Sequence, residues 1–374
     1  MNRPLVLLTA AVSVVGAVSM ALAPIVSTVG RDLGTDPAHA VQATAAFGFA
    51  TMGSALFLAP RADVIGADRA LGQALNIQIV GLVLTMLAPG LWWLIGAQAL
   101  CGIGAGMALP AIYGLAPQMA KPGEESRAVG LVLSGWVLAL TAGVAGAGFI
   151  AEYLGWRTVY GLFLTLALAV RIALRLTPIE AARGGAPTSP LTALRVPGIG
   201  RGLFAAFTLM LSFYGTYAFL GAHVGDSLGR GSDGAGYVTL VYGAGFGLSL
   251  FLDRPLARLP QRLTGTLAFG GLVAVYAGMA LSGATYAALL ILALCWGIAQ
   301  HAGLNFVVSR LAALDARQRG AIMGLNSAAT YVGVTVGAMV FRGPYEAGGL
   351  VACAGMSAVI ALAGAVEAAL PRRA

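Results

Sequence analysis

Charge is what this sequence has least of. Asp, Glu, Lys and Arg together make up 10% of its 374 residues, against about 25% in an ordinary soluble domain. So little charge cannot coat a water-soluble particle, which excludes the two or three soluble domains that this length would otherwise suggest. Lysine is all but missing: Lys121 stands alone among 22 basic residues. The net charge of +8 therefore rests on arginine, and these arginines are dispersed between apolar runs, so they do not form a nucleic-acid patch. No nucleic-acid partner is expected, and the arginine excess suits a bacterial source with GC-rich codons. Cysteine is scarce too. Cys101, Cys295 and Cys353 each stand inside an apolar run, without the paired spacing of a disulfide or metal framework, and read as packing residues. Nucleotide loops, metal-ligand clusters and a soluble catalytic segment are all lacking. Neither an enzyme nor a cofactor or metal site is expected.

What is present is apolar. Hydrophobic residues make up 59% and mean hydropathy is +0.86, and the 53 glycines suit membrane helices. Gaps between charged residues mark the spans. The first covers residues 4–30; Arg3 and Ala21-Leu22-Ala23 resemble a cleavable leader, but the run continues through Val29 and is long enough to cross. The second covers 37–60, with Asp36 placed to cap it and Pro37 suited to its first turn. Residues 70–120 hold 51 positions without charge, too many for one crossing, and Pro89-Gly90 divides them into the third and fourth spans. The fifth (128–151) carries small residues at helical spacing, Gly135, Ala139 and Gly143, then Ala147 and Ala151, a face that another helix can approach closely. The sixth (158–176) ends among Arg171 and Arg175, which can snorkel to the interface.

Residues 177–201, with four prolines and three arginines, form the one linker of any length. Six more spans follow at 202–225, 234–252, two within 263–309 divided at Gly283, 320–341 and 347–366. The halves echo each other. A shift of 194 residues puts Gly130-Leu131 on Gly324-Leu325, Thr141 on Thr335, Gly143 on Gly337, Glu152 on Glu346 and Ala99-Leu100-Cys101 on Ala293-Leu294-Cys295. The expected fold is an all-α membrane protein of twelve transmembrane helices in two pseudo-symmetric six-helix bundles. The N-terminal bundle is residues 1–176, the linker 177–201 and the C-terminal bundle 202–374. With both termini in the cytoplasm, the inner segments hold 18 basic residues and the outer loops 4, a strong positive-inside asymmetry.

Several motifs resemble the major facilitator superfamily, and within it the proton-driven drug and metabolite efflux branch. The hairpin APRADVIGADRAL (59–71) is similar to the family signature between spans two and three, with Asp63 and Gly66 in matching places and Arg69 one place late. Span five resembles the antiporter signature at Gly130, Gly143 and Gly148, with Val144 where that signature has proline. Gly155-Trp156-Arg157 follows, as is typical of the branch. Span four has Gln98-Ala99-Leu100-Cys101-Gly102 where the family carries an embedded arginine before a glycine run.

Asp63, in a tight inner hairpin, either pairs with Arg69 or Arg127, or faces the N-terminus of span eleven, as a latch on the inner gate; the alternative is an ordinary solvated carboxylate. Span five's small face is a sliding surface or static packing. Glu152 and Arg157 are an outer gate or interfacial anchors. His301 in span ten is the only near-neutral titrating group well inside a span, flanked by Gln300 and Asn305, and is either a proton or ligand site or a hydrogen-bonded packing histidine. Gln98, Tyr113, Tyr214, Tyr217, Tyr242, Asn326 and Tyr331 either line a polar cavity or tie helices together.

The resemblance implies a secondary transporter of the bacterial inner membrane, exporting a small amphiphilic or neutral compound in exchange for protons by alternating access. The expected partners are that small-molecule substrate, protons and the lipid bilayer, and a monomer is the expected state. A proton-independent facilitator or uptake permease is the alternative on the same fold. A scaffold or sensor without transport is the alternative of another class.

Overall fold

In lipid every backbone N–H and C=O must be satisfied within the chain, which leaves a strand-poor, apolar sequence such as this one to cross as helices. The computed structural model describes residues 3–121, 124–177, 179, 189–282, 284–315 and 318–371. Among them, twelve helices are long and apolar enough to span a bilayer. They are α1 (Arg3–Met20), α2 (Pro37–Phe57), α3 (Ala67–Met86), α4 (Leu91–Gln118), α5 (Ala128–Leu154) and α6 (Trp156–Leu176) in the N-terminal half. The C-terminal half has α7 (Ile199–Ser227), α8 (Ser232–Leu252), α9 (Gln261–Leu281), α10 (Tyr286–Ala312), α11 (Arg319–Val340) and α12 (Arg342–Ala369). An even number of crossings puts both termini on one side, here called the terminal face. The outward surface is apolar, with Phe57, Trp92, Phe251 and Leu281 standing exposed, as suits helices solvated by lipid.

Local chemistry sets the ends of these helices. Asp36 accepts a hydrogen bond from the Ala38 amide at 2.7 Å, with Pro37 in the first helical position, as the sequence predicts. Gly155, at φ +83°, both ends α5 and starts α6, a left-handed corner that other residues resist. The first span differs from the expected unbroken 4–30: α1 pauses at Ala21 and resumes as Leu22–Asp32. The division at Gly283 falls outside the described residues, as do 178 and 180–188 of the linker. The described remainder holds a short 3₁₀ turn, Pro190–Arg195, whose Pro190 packs against Gly324 of α11. Cys101 and Cys353 are buried packing residues, whereas Cys295 is exposed, because its side of α10 faces outward.

Within the halves α3 packs on α4, α2 on α4, α9 on α12 and α7 on α11; between them α2 meets α11 and α5 meets α8. Moving each helix six places along the chain turns the first cross-half pair into the second, as the 194-residue echo requires. Small residues allow the approach. A Cβ on Gly148 of α5 would stand 2.8 Å from Gly236 Cα of α8, and one on Gly143 2.6 Å from Ala17 Cβ of α1. Within α5, Ala139–Val144 winds as a π turn, an irregularity concentrated at functional sites, and it packs on both α1 and α8.

At the terminal face the C-terminal half is clamped by charge. Arg310 of α10 grips Glu367 of α12 through two bonds of 2.7 and 2.8 Å, and Arg201 of α7 adds a third of 2.6 Å. Both Arg310 and Glu367 are buried, so each charge depends on the other.

Candidate functional site

The seam between the halves carries the convergent side chains. On the face opposite the termini it is laced by hydrogen bonds. Ser27 Oγ donates to the Gly221 carbonyl at 3.1 Å, Tyr217 Oη to the Met20 carbonyl at 3.3 Å, and the Ser232 amide to Glu152 Oε2 at 2.7 Å. The hydroxyls of Thr28 and Ser232 share a short bond. Glu152 thus ties α5 to the first residue of α8, where a carboxylate is favoured by the helix N-terminus. Arg157 stays within its own half, on Asp32 and on the Ala88 carbonyl at 2.8 Å. Trp156 Nε1 also donates to Asp32, at 3.0 Å. These two bonds hold the Asp32 carboxyl below its usual range.

Behind Tyr217 the C-terminal half holds an uncharged aromatic cluster. Phe213 of α7 stacks on Tyr217 at 4.9 Å and meets Trp296 of α10 at 5.1 Å, while Tyr242 of α8 abuts Trp296 at 5.3 Å. Trp296 Nε1 donates to Tyr276 Oη at 3.0 Å. Trp136 of α5 donates to Tyr113 Oη of α4 at 2.7 Å. Of the tyrosines singled out from sequence, Tyr113 belongs to the N-terminal half with Trp136, while Tyr214, Tyr217 and Tyr242 gather around Phe213 in the C-terminal half, and Tyr331 of α11 is buried. Two amide groups nearby have unmet capacity: Gln300 is 1% exposed with neither amide atom bonded, and Asn326 Oδ1 is buried without a partner. Such groups need a ligand or water.

His301 stands near the middle of the 27-residue α10. There its Nε2 stands 3.1 Å from Asp253 Oδ1, and Asn305 Nδ2 donates to the same oxygen at 2.8 Å. Phe246 packs edge-on against the imidazole at 4.8 Å. Gln98, 2% exposed, donates to Thr85 Oγ1 of α3 at 3.2 Å. It and His301 are thus bonded each within its own half.

Asp63 sits in the short helix Arg61–Ile65, closed by Gly66 at φ +94°. Arg69 lines a cavity between α3, α4 and α6. The side chain of Arg127 lies outside the described residues. Gly130 faces open space, unlike Gly143 and Gly148. Trp136, Trp296 and Phe213 escaped the sequence reading because an aromatic in an apolar span has no signal of its own. Asp253 had one: it stands in the hairpin matching that of Asp63.

Two six-helix halves, glycine-mediated contacts across a seam and an aromatic cluster within it define a membrane transporter. The profile of the Major Facilitator Superfamily matches residues 8–338, and the chain belongs to that family. It is 26% identical to the uncharacterised MFS-type transporter YwfA of Bacillus subtilis, over 96% of this chain and 89% of that one. It is 25% identical to a chloramphenicol resistance protein of Streptomyces lividans, over 66% of this chain and 64% of that one. The fold is shared with a bacterial homologue of the human lysosomal transporter Spinster, solved in an inward-facing and occupied conformation. The TM-score is 0.74, at 15% identity and with 97% and 95% of the two chains covered.

Proposed function

We propose that this transporter exports a small neutral or amphiphilic compound across the bacterial inner membrane in exchange for protons, with the terminal face in the cytoplasm. The observation that carries the substrate class is the set of uncharged aromatic and hydroxyl groups that both halves contribute: the Trp136–Tyr113 pair in one, and Tyr214, Tyr217, Tyr242 and Trp296 around Phe213 in the other. Such a surface offers stacking and hydrogen bonds. It has no buried carboxylate to neutralise a cation. The chloramphenicol resistance relative supports a small-molecule export role. The 18-to-4 distribution of basic residues supports the orientation.

Proton coupling is assigned to His301 and Asp253. A neutral imidazole donates a hydrogen bond to the Asp253 carboxylate, and an imidazolium adds ion-pair attraction to that bond. Protonation therefore tightens the hairpin Asp253–Ala257 against α10. In this reading the six-helix halves rock about the midplane site, with α5 and α11 as the sliding helices. A proton-independent facilitator is the second reading. It is favoured by the lack of acidic side chains away from the ends of α1, α2, α4, α5, α7, α8 and α11, where the membrane interior would mark a proton path. The chain acts as a monomer in either case.

The binding site is tested by titrating the purified protein with chloramphenicol and other neutral aromatic compounds while following tryptophan emission. Saturable quenching that is lost in Trp136→Phe and Trp296→Phe is expected. If no compound gives saturable quenching, or if the variants quench as the wild type does, the aromatic cluster is packing and the site lies elsewhere.

A further inference from the structure

The N-terminal half has a cavity of about 350 Å³ at the terminal face, between α3, α4 and α6. Its polar lining is Arg69, Gln73, Asn76, Arg171 and Arg175, with Asp68 as the one carboxylate. Arg171 is oriented for this role: its Nε donates to Asn76 Oδ1 at 2.8 Å, and its guanidinium passes over Gly72, 3.6 Å from where a Cβ would stand. The corresponding place in the C-terminal half, among α9, α10 and α12, is nearly filled, with a cavity of about 10 Å³ edged by Arg201 and Arg310. Both of those arginines are held by Glu367. A shift of 194 residues puts Ala173 where Glu367 stands, between Arg171 and Arg175. The C-terminal arginines are thus satisfied by a buried glutamate of their own half, whereas the N-terminal cavity has three arginines, room, and Asp68 as its one carboxylate.

We propose that this cavity binds a phosphate-bearing anion, the headgroup of an anionic phospholipid. Guanidinium groups fit phosphate oxygens in paired hydrogen bonds, and basic pockets between transmembrane helices take such headgroups. A lipid suits the site better than a free phosphate for a structural reason. Leu115 and Leu174 complete the wall, and Ile172 and Leu176 beside it are exposed on the outer surface of α6. An acyl chain can leave the pocket along that surface.

The test uses the purified full chain in detergent, with retained lipid counted by native mass spectrometry and thermal stability measured in parallel. The probes are phosphatidylglycerol, phosphatidylcholine and inorganic phosphate. The wild type is expected to retain and be stabilised by phosphatidylglycerol but not phosphatidylcholine. In Arg171→Ala/Arg175→Ala that affinity is expected to fall roughly thirty-fold, about tenfold or less for each charge, while Arg262→Ala in the C-terminal half leaves it unchanged. Equal retention by the wild type and the double variant overturns the site. Stabilisation by inorganic phosphate as strong as by phosphatidylglycerol overturns the lipid assignment in favour of a soluble anion. If the double variant does not fold, hydrogen exchange on the wild type in nanodiscs decides. Phosphatidylglycerol is expected to protect the start of α3 and the end of α6 relative to phosphatidylcholine, and equal exchange in both lipids refutes the proposal.

Discussion

If the halves rock, the bonds on the face opposite the termini set how readily that face opens, and Glu152 is the place to perturb them. Its carboxylate accepts the Ser232 amide at 2.7 Å, at the first turn of α8. A hydrogen bond to a charged group contributes about 1.5–3 kcal/mol when shielded, but Glu152 is exposed, so about 1 kcal/mol is the reasonable figure. Thr28, bonded to the Ser232 hydroxyl, adds roughly another 1 kcal/mol. Because both act on Ser232, the sum of about 2 kcal/mol is an upper value. Glu152→Ala/Thr28→Val is therefore expected to raise the open population on this face by up to about thirty-fold, and Glu152→Gln by only a few-fold, since its amide oxygen still accepts. Amide hydrogen exchange reads the change without labels. Faster exchange at Ser232 alone would be trivial, because its own bond is gone. The informative peptides lie across the seam, around Ser27 and Gly221, whose bond the substitutions leave intact. Acceleration there, with α9 unchanged, is predicted. Unchanged exchange around Ser27 and Gly221 would refute the latch.

Other perturbations test other parts of the account. Asp32→Asn removes the negative charge that Trp156 and Arg157 hold; because the Asp32 carboxyl titrates below its usual 3.8, its stabilising effect is complete at neutral pH and lost as pH falls below about that value. The variant should unfold at a lower temperature than the wild type at pH 7, with the gap narrowing as pH falls below the usual carboxylate value, and a pH-independent gap would contradict this. Glu367→Gln leaves Arg310 buried without its counter-charge and should destabilise the C-terminal half by about 3–5 kcal/mol, read as a clear fall in melting temperature in detergent; an unchanged midpoint would rule the clamp out as a stabilising element. Tyr113→Phe leaves the Trp136 indole N–H without its acceptor, at a cost of about 1–3 kcal/mol if it stays dry. The expected result is weaker substrate binding in the emission titration, against equal affinity if Tyr113 only packs.

The spans were legible because charge gaps report helix length against bilayer thickness, and the cap at Asp36 and the corner at Gly155 because each needs one residue type. That α5 has a face another helix can approach was legible in its small residues, and in the structure Gly148 meets α8 while Gly143 meets α1. The partner of His301 did not follow, because Asp253 lies 48 residues away in sequence and reaches the imidazole only through the packing of the end of α8 on α10. The facing of Gln98 was hidden for a related reason: a span apolar all round has no polar face to orient it, and its bond to Thr85 depends on the packing of α3 against α4. The π turn at Ala139–Val144 likewise has no local signature, for its extra residue per turn is selected by packing against α1 and α8.

The central claim is exchange of a neutral substrate for protons through the seam, with His301 and Asp253 coupling the two. It is tested most directly by uptake into proteoliposomes of the purified protein, with the lumen made more acidic than the bath. The account predicts accumulation of an aromatic neutral substrate that collapses with the gradient. In His301→Ala and Asp253→Asn the accumulation should vanish while gradient-free counterflow persists. Uptake that ignores the gradient in the wild type, or accumulation that survives both substitutions, would contradict it.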